Sequence, residues 1–126
     1  MPIIEITALP QPASVDVPTV LERVRLALAA GMDCDPDAVW AVWRGVEPGG
    51  YVVRGHAPAT QPQDSHDPIA RIMAYEGRSP EVISRTVEGV GRTLAGCLGL
   101  DVANVFVVYE ELRAGRVFTG GLVRGG

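Results

Sequence analysis

Proline at position 2 carries the most unusual chemistry available in this chain of 126 residues. Initiator methionine is usually removed before a small residue such as proline, and loss of Met1 would leave Pro2 with a secondary amine. A free α-amino group titrates near about 7.7–8.0. Apolar surroundings and neighbouring arginines disfavour its cation and lower that value. Such an amine can take a proton from a substrate and return it, acting first as general base and then as general acid. The other reactive side chains offer less. His56, Asp64, His66 and Asp67 could be drawn as a metal site, but they lie in a polar loop without ligand spacing on a rigid element, so neither metal nor cofactor is expected. GGYVVRG (49–55) lacks the lysine and the strand-then-helix setting of a phosphate loop. Cys34 and Cys97 are too few for a disulfide framework, and Cys97 falls beside an apolar helical stripe where packing accounts for it.

The elements that would position Pro2 occur twice. MPIIEI at the start is echoed by DPIARI at 67–72, and a gapless shift of 66 residues extends the match. It pairs Pro2 with Pro68, Val24 with Val90, Leu28 with Leu94, Asp35 with Asp101, Val42 with Val108 and Gly55 with Gly121. An internal duplication is the reading that explains so regular a set. Isoleucine-rich segments 2–9 and 68–75 are expected as strands, each opened by a proline, which a strand tolerates at its first position. Asp16 and Ser79 are expected helix caps, with Pro18 and Pro80 in the first turn. Apolar stripes follow: Val17, Leu21, Val24, Leu28 and Met32, then Ile83, Val87, Val90, Leu94 and Leu98. Glycines 89, 91, 96 and 99 are expected to weaken the second helix. AVWAVW (38–43) and NVFVVY (104–109) read as buried parallel strands, and Gly-marked turns lead to extended tails at 49–55 and 115–121.

The sequence therefore predicts one α/β domain over 1–126, built as repeat one (2–55), a polar linker (56–67) and repeat two (68–126). Two right-handed β-α-β units would make a four-stranded mixed sheet with two helices on one face. The strands are apolar on both sides, so the uncovered face calls for oligomerisation. Apolar residues make up 47% and charged ones 21% of the chain, which excludes a disordered segment. A net charge of −4, with arginine as the sole basic residue besides two histidines, argues against nucleic acid or an anionic membrane surface as partner. No apolar run approaches the roughly 20 residues of a membrane span and no leader pattern opens the sequence, so a cytoplasmic, reducing setting is expected.

PIARIMAYEGRSPE, followed by NVFVVYEEL and AGRVFTGG, resembles a whole subunit of 4-oxalocrotonate tautomerase. PIIEI through GGYVVRG resembles a second one. The chain as a whole is similar to a fused, tandem member of the tautomerase superfamily, a group that includes cis-3-chloroacrylic acid dehalogenase, malonate semialdehyde decarboxylase and macrophage migration inhibitory factor. That resemblance implies a homotrimer of tautomerase/MIF-like fold, with Pro2 as the acid–base residue acting on a small carboxylated keto or enol compound. Arg78, in the EGRS turn before the second helix, would hold the substrate carboxylate, aided by the helix's N-terminal amides. Pro12 stands at the matching position of the first half. Tyr51 and Phe118 would wall an apolar pocket. Trp40 and Phe106 occupy the place of the prototype's second substrate arginine, leaving Arg54, Arg71 and Arg116 as replacement cations. Tyr75 precedes EGR where the dehalogenase has arginine, and its water-activating acid has no clear match although Glu110 and Glu111 are available, so hydrolytic dehalogenation is disfavoured. A hydratase or decarboxylase of the same superfamily is a further alternative. A rival from another class is a non-catalytic trimeric binding protein that retains Met1, because an acylated Pro2 nitrogen cannot carry a proton.

Overall fold

The isoleucines after Pro2 become strand β1 (Ile3–Ala8), and the computed structural model, which describes residues 1–125, repeats that start 66 residues later as β3 (Ile69–Tyr75). Helix α1 (Val17–Met32) and strand β2 (Trp40–Gly45) follow β1; helix α2 (Pro80–Leu98) and strand β4 (Phe106–Leu112) follow β3. The sheet order is β2-β1-β3-β4, with β1 antiparallel to β3 at the centre and each outer strand parallel to its inner neighbour. Both parallel registers carry the 66-residue offset: Ile3 faces Trp40 and Ile69 faces Phe106. In the central pair Glu5 faces Arg71, its own counterpart, so a pseudo-twofold axis passes through that pair.

Both helices lie on one face of the sheet. Asp16 caps α1 by accepting from the Thr19 amide and Ser79 caps α2 by accepting from the Val82 amide, as their sequence positions imply. Beneath the helices Ile4, Ile6 and Ala8 of β1 and Ala70, Ile72 and Ala74 of β3 are fully or nearly fully buried. Burying each large aliphatic side chain contributes about 1.5–3 kcal/mol. Of the helical stripes Val24, Leu28 and Met32, and Val90, Leu94 and Leu98, are buried, while Val17, Leu21, Ile83 and Val87 are half-buried. α2 runs unbroken through Gly89, Gly91 and Gly96. α1 meets α2 at Gly31, where an added Cβ would lie 2.8 Å from Thr86 Oγ1 and 2.9 Å from Thr86 Cα. Arg85 reinforces the contact by donating through Nε and Nη2 to the Gly31 carbonyl at 3.1 and 2.8 Å.

Several boundaries differ from the sequence reading, and β2 and β4 also extend to 45 and 112 rather than 43 and 109. β2 and β4 begin at 40 and 106 rather than 38 and 104, because short 3₁₀ turns at Pro36–Ala38 and Val102–Asn104 take up the first residues. Asp35 and Asp101 set those turns by accepting from the amides two residues on, at 2.9 Å in each case. The second tail forms a hairpin, β5 (Phe118–Thr119) with β6 (Leu122–Val123), whereas in the first tail Val53 and His56 make an isolated bridge. The linker packs rather than dangles. Gln61 Nε2 donates to the Ser65 and His66 carbonyls, and Asn104 Nδ2 to those of Pro62 and Ser65.

The other sheet face is open. Trp40 and Phe106 are about half exposed on it (51% and 52%), joined by Val42. Across its middle run Arg44, Glu5, Arg71 and Glu110, with Arg44 Nε 2.6 Å from Glu5 Oε2 and Arg71 gripping both Glu110 oxygens at 2.7 and 2.8 Å. No helix among the described residues is long and apolar enough to cross a membrane.

The helix crossing sets a stability test with two glycines of opposite sign. Gly31→Ala should lower stability by about 1–3 kcal/mol, since the neighbour it meets includes backbone that cannot swing away. Gly89→Ala, in mid-helix with nothing within 4 Å of the new methyl, should raise it by about 0.5–1 kcal/mol. Urea unfolding midpoints of both variants check the pair; a Gly31→Ala protein as stable as wild type would refute the close crossing.

Candidate active site

Pro2 is fully buried at the start of β1, and its carbonyl accepts from the Trp40 amide at 3.1 Å. Proline fits here because the missing N–H falls where the ladder needs none. Met1, Ile3, Trp40, Tyr75, Leu112, Val117, Phe118 and Thr119 enclose a cavity of about 110 Å³ beside it. The antiparallel register, Ile3 facing Met73, brings the end of β3 alongside Pro2 and with it the turn Glu76-Gly77-Arg78-Ser79. Gly77 has φ +120°, a conformation that favours glycine, and Glu76 ties the turn to the hairpin by accepting from the Ala114 amide at 3.2 Å. Arg78 is half-buried, and its Nη1 lies 3.4 Å from the Tyr75 carbonyl, a long contact that leaves most of the guanidinium's donors free for an anion.

Sequence reasoning missed Tyr109. It follows Val105 and Val107 on the helix-covered side of β4, and its hydroxyl is buried without a hydrogen-bond partner. Burial pushes this phenol above the ordinary tyrosine range, while the nearby charge of Arg78 pulls it partly back. The alternation of NVFVVYEEL was the available signal: its inward phase ends on a residue with a polar tip.

The remaining candidates divide between the two ends of the sheet and its middle. Phe118 lines the Pro2 cavity, exposed at 72%. Tyr51 and Arg54 lie at the opposite end of the sheet, where Pro68 begins β3. Tyr51, Asp67, Ile69 and Phe106 line a cavity of about 190 Å³ there, each the 66-residue counterpart of Val117, Met1, Ile3 and Trp40 in the first. Tyr51 donates its hydroxyl to the Asp67 carbonyl at 2.9 Å, and burial raises this phenol as well. Arg54 lines an adjoining cavity with Asp64 and His66. His66 is buried with both ring nitrogens engaged: Nε2 donates to the His56 carbonyl at 2.8 Å and Nδ1 pairs with Ser65 Oγ at 2.9 Å. Arg71 is committed to Glu110 in mid-sheet, away from Pro2, and Arg116 stands exposed in the hairpin turn. Within one chain, then, the fold gathers Pro2, Phe118 and the Arg78 turn at one end, and Tyr51 with Arg54 at the other.

No protein-family model and no curated protein sequence matches the chain. Solved structures do. A native fused 4-OT superimposes with a TM-score of 0.82 at 17% identity, covering 96% of this chain and 94% of that one. An asymmetric trimer of the fused 4-OT F6 gives 0.83 at 15% identity over 96% and 94%. A symmetric trimer of the fused 4-OT Q0 gives 0.77 at 14% identity over 98% and 95%. The same architecture recurs in a member of the cis-3-chloroacrylic acid dehalogenase family and in malonate semialdehyde decarboxylase, at 14% and 12% identity. The chain thus has the fold of the fused 4-OT structures.

Proposed function

We propose that the chain is a tautomerase-type isomerase whose Pro2 nitrogen, freed by removal of Met1, moves a proton on a small carboxylated keto or enol compound. The observation that carries this reading is the placement of Pro2: buried, fixed through its carbonyl, and set against an apolar, aromatic-walled cavity at the end of the sheet that also holds Arg78. With Met1 gone, the cavity gains the space that residue borders, and the amine faces it. Arg78 holds the carboxylate, and Phe118 and Trp40 wall the reacting carbon. The amine takes a proton from the oxygen or carbon that carries it and returns it to the carbon whose protonation completes the shift. The apolar walls keep the amine's cation costly and so its basicity matched to neutral pH. The active form is a trimer built on the open sheet face, working in the reducing cytoplasm, where Cys34 and Cys97 stay thiols. Tyr51 and Arg54 join a Pro2 site only across a subunit boundary. A second reading, a non-catalytic trimeric binding protein, holds if Met1 is retained, because the Pro2 nitrogen is then an amide that cannot carry a proton.

Intact mass of the purified protein decides between the two readings: loss of one methionine is expected, and complete retention supports the binding protein. Turnover is then sought with phenylenolpyruvate, 2-hydroxymuconate and halogenated acrylates. 2-Oxo-3-pentynoate, which inactivates the structurally similar Pt0534, should modify the N-terminal peptide alone. Pro2→Ala should keep the fold and lose most activity, while Pro68→Ala, whose nitrogen is an amide in either case, should change turnover little. Wild-type turnover in Pro2→Ala would end the mechanism.

Arg78→Ala should cost about 2–4 kcal/mol of transition-state stabilisation, roughly 30- to 1,000-fold in kcat/KM, for a carboxylate substrate. Tyr109→Phe should remove a phenol that ionises above the ordinary value of about 10, seen as a lost high-pH step in absorbance at 295 nm. The sign follows from the raised value: folding favours the neutral phenol, so its stabilisation is present below the unfolded value and is lost as pH rises through the folded one. A lost step at or below pH 10 would contradict the buried placement. Sedimentation equilibrium should give about 40 kDa, three times 13.4 kDa, because the apolar face costs too much free energy in water; a stable monomer would refute the assembly.

A further inference from the structure

The open face of the sheet carries one charged residue from each strand, and their signs alternate from flank to flank: Arg44 on β2, Glu5 on β1, Arg71 on β3, Glu110 on β4. Arg44 pairs with Glu5 and Arg71 with Glu110, while Glu5 and Arg71 are register partners at the pseudo-twofold axis. Arg44 and Glu110 are 66 residues apart, as are Glu5 and Arg71. The same ion pair is therefore present twice with its signs exchanged. Rotation about the pseudo-twofold axis carries one backbone half onto the other but inverts every charge in the row.

That inversion gives the chain a direction its backbone lacks. The two flanks, β2 and β4, share one backbone plan, so a copy could enter a trimer in either of two orientations, and structures of this fold include both symmetric and asymmetric trimers. If all three copies point the same way, every junction brings a β2 flank to a β4 flank, and the contacts are heterologous and closed. Turning one copy about its axis leaves one such junction and creates a β2-to-β2 and a β4-to-β4 junction. We infer that the sign-reversed ion pairs select the symmetric trimer of this chain, the Arg44 flank of each copy meeting the Glu110 flank of the next. The inference rests on the trimer proposed above. Alternation then continues around the whole assembly, whereas an inverted copy sets arginine toward arginine and glutamate toward glutamate. Single exposed ion pairs contribute little, but like charges brought together at a partly dewatered junction are strongly disfavoured, which makes them a device for rejecting the wrong arrangement. Trp40, Val42 and Phe106 supply adhesion without direction, and the charges supply direction with little adhesion.

The ε-methyl of Met73, on the same open face opposite Ile3, reports the arrangement by NMR. A trimer confirmed by sedimentation should show one Met73 resonance, and three resonances from the wild-type trimer would overturn the inference. A monomer by sedimentation would overturn the assembly reading itself, so the two failures are separable. Arg71→Glu with Glu110→Arg makes both flanks positive and removes the direction; its trimers should show additional Met73 resonances. Reversing all four residues (R44E, E5R, R71E, E110R) restores unlike flanks with every internal pair intact, and should return a single resonance. A single resonance from the double variant, or several from the fourfold one, would show that these charges do not choose the orientation.

Discussion

The antiparallel pairing of β1 with β3 is the constraint on which the rest of the molecule depends. It joins the two halves edge to edge through strands that are inaccessible on the helix side, so neither half can shift register without moving Ile4, Ile6 and Ile72 out of the core. It also fixes which ends meet. Because the strands run in opposite directions, the start of β1 lies beside the end of β3, and Pro2 is brought to the turn that carries Arg78. A parallel arrangement of the same two strands would have put Pro2 beside Pro68 and left Arg78 at the far end.

The same pairing explains how one plan yields two unlike ends. Near Pro2 the wall is Trp40, Tyr75 and Phe118, apolar and aromatic, with a cation and an orphaned hydroxyl close by. Near Pro68 the chain continues backward into the linker: Tyr51 donates to the Asp67 carbonyl beside a cavity of about 190 Å³, and His66 pairs with Ser65 and with the His56 carbonyl. Equivalent pockets are thus lined differently, by apolar and aromatic side chains near Pro2 and by linker backbone with satisfied polar groups near Pro68.

Much of this was legible in the residues. Prolines at strand starts, caps at Asp16 and Ser79, and the 66-residue echo led directly to the β-α-β plan. What escaped has physical causes. Asp35 and Asp101 hold 3₁₀ turns through side-chain bonds that compete with the strand, and apolar periodicity is blind to them. Tyr109 carries no motif, since its interest lies in a hydroxyl that finds no partner. Tyr51 matches the hairpin phenylalanine of the resembling subunit and Arg54 is a candidate for its missing second arginine, and within one chain both lie beside Pro68. The offset identifies equivalent positions, but an antiparallel junction sets equivalent positions at opposite ends, so correspondence along the chain became separation in space.

The packed linker has a consequence for how this architecture can change. Gln61 donates its backbone N–H to the Pro10 carbonyl of the first half and its side-chain amide to the turn leading to β3, while Asn104, from the second half, donates to the same turn. The connection is thus a keystone rather than a tether. Two separate half-length chains would lose the scaffold on which Asn104 closes and would free a second amine at residue 68 in a pocket now shaped for an amide. The single-chain form is a ratchet: once the linker's donors and acceptors were built into both halves, returning to two independent subunits would require rebuilding each of them.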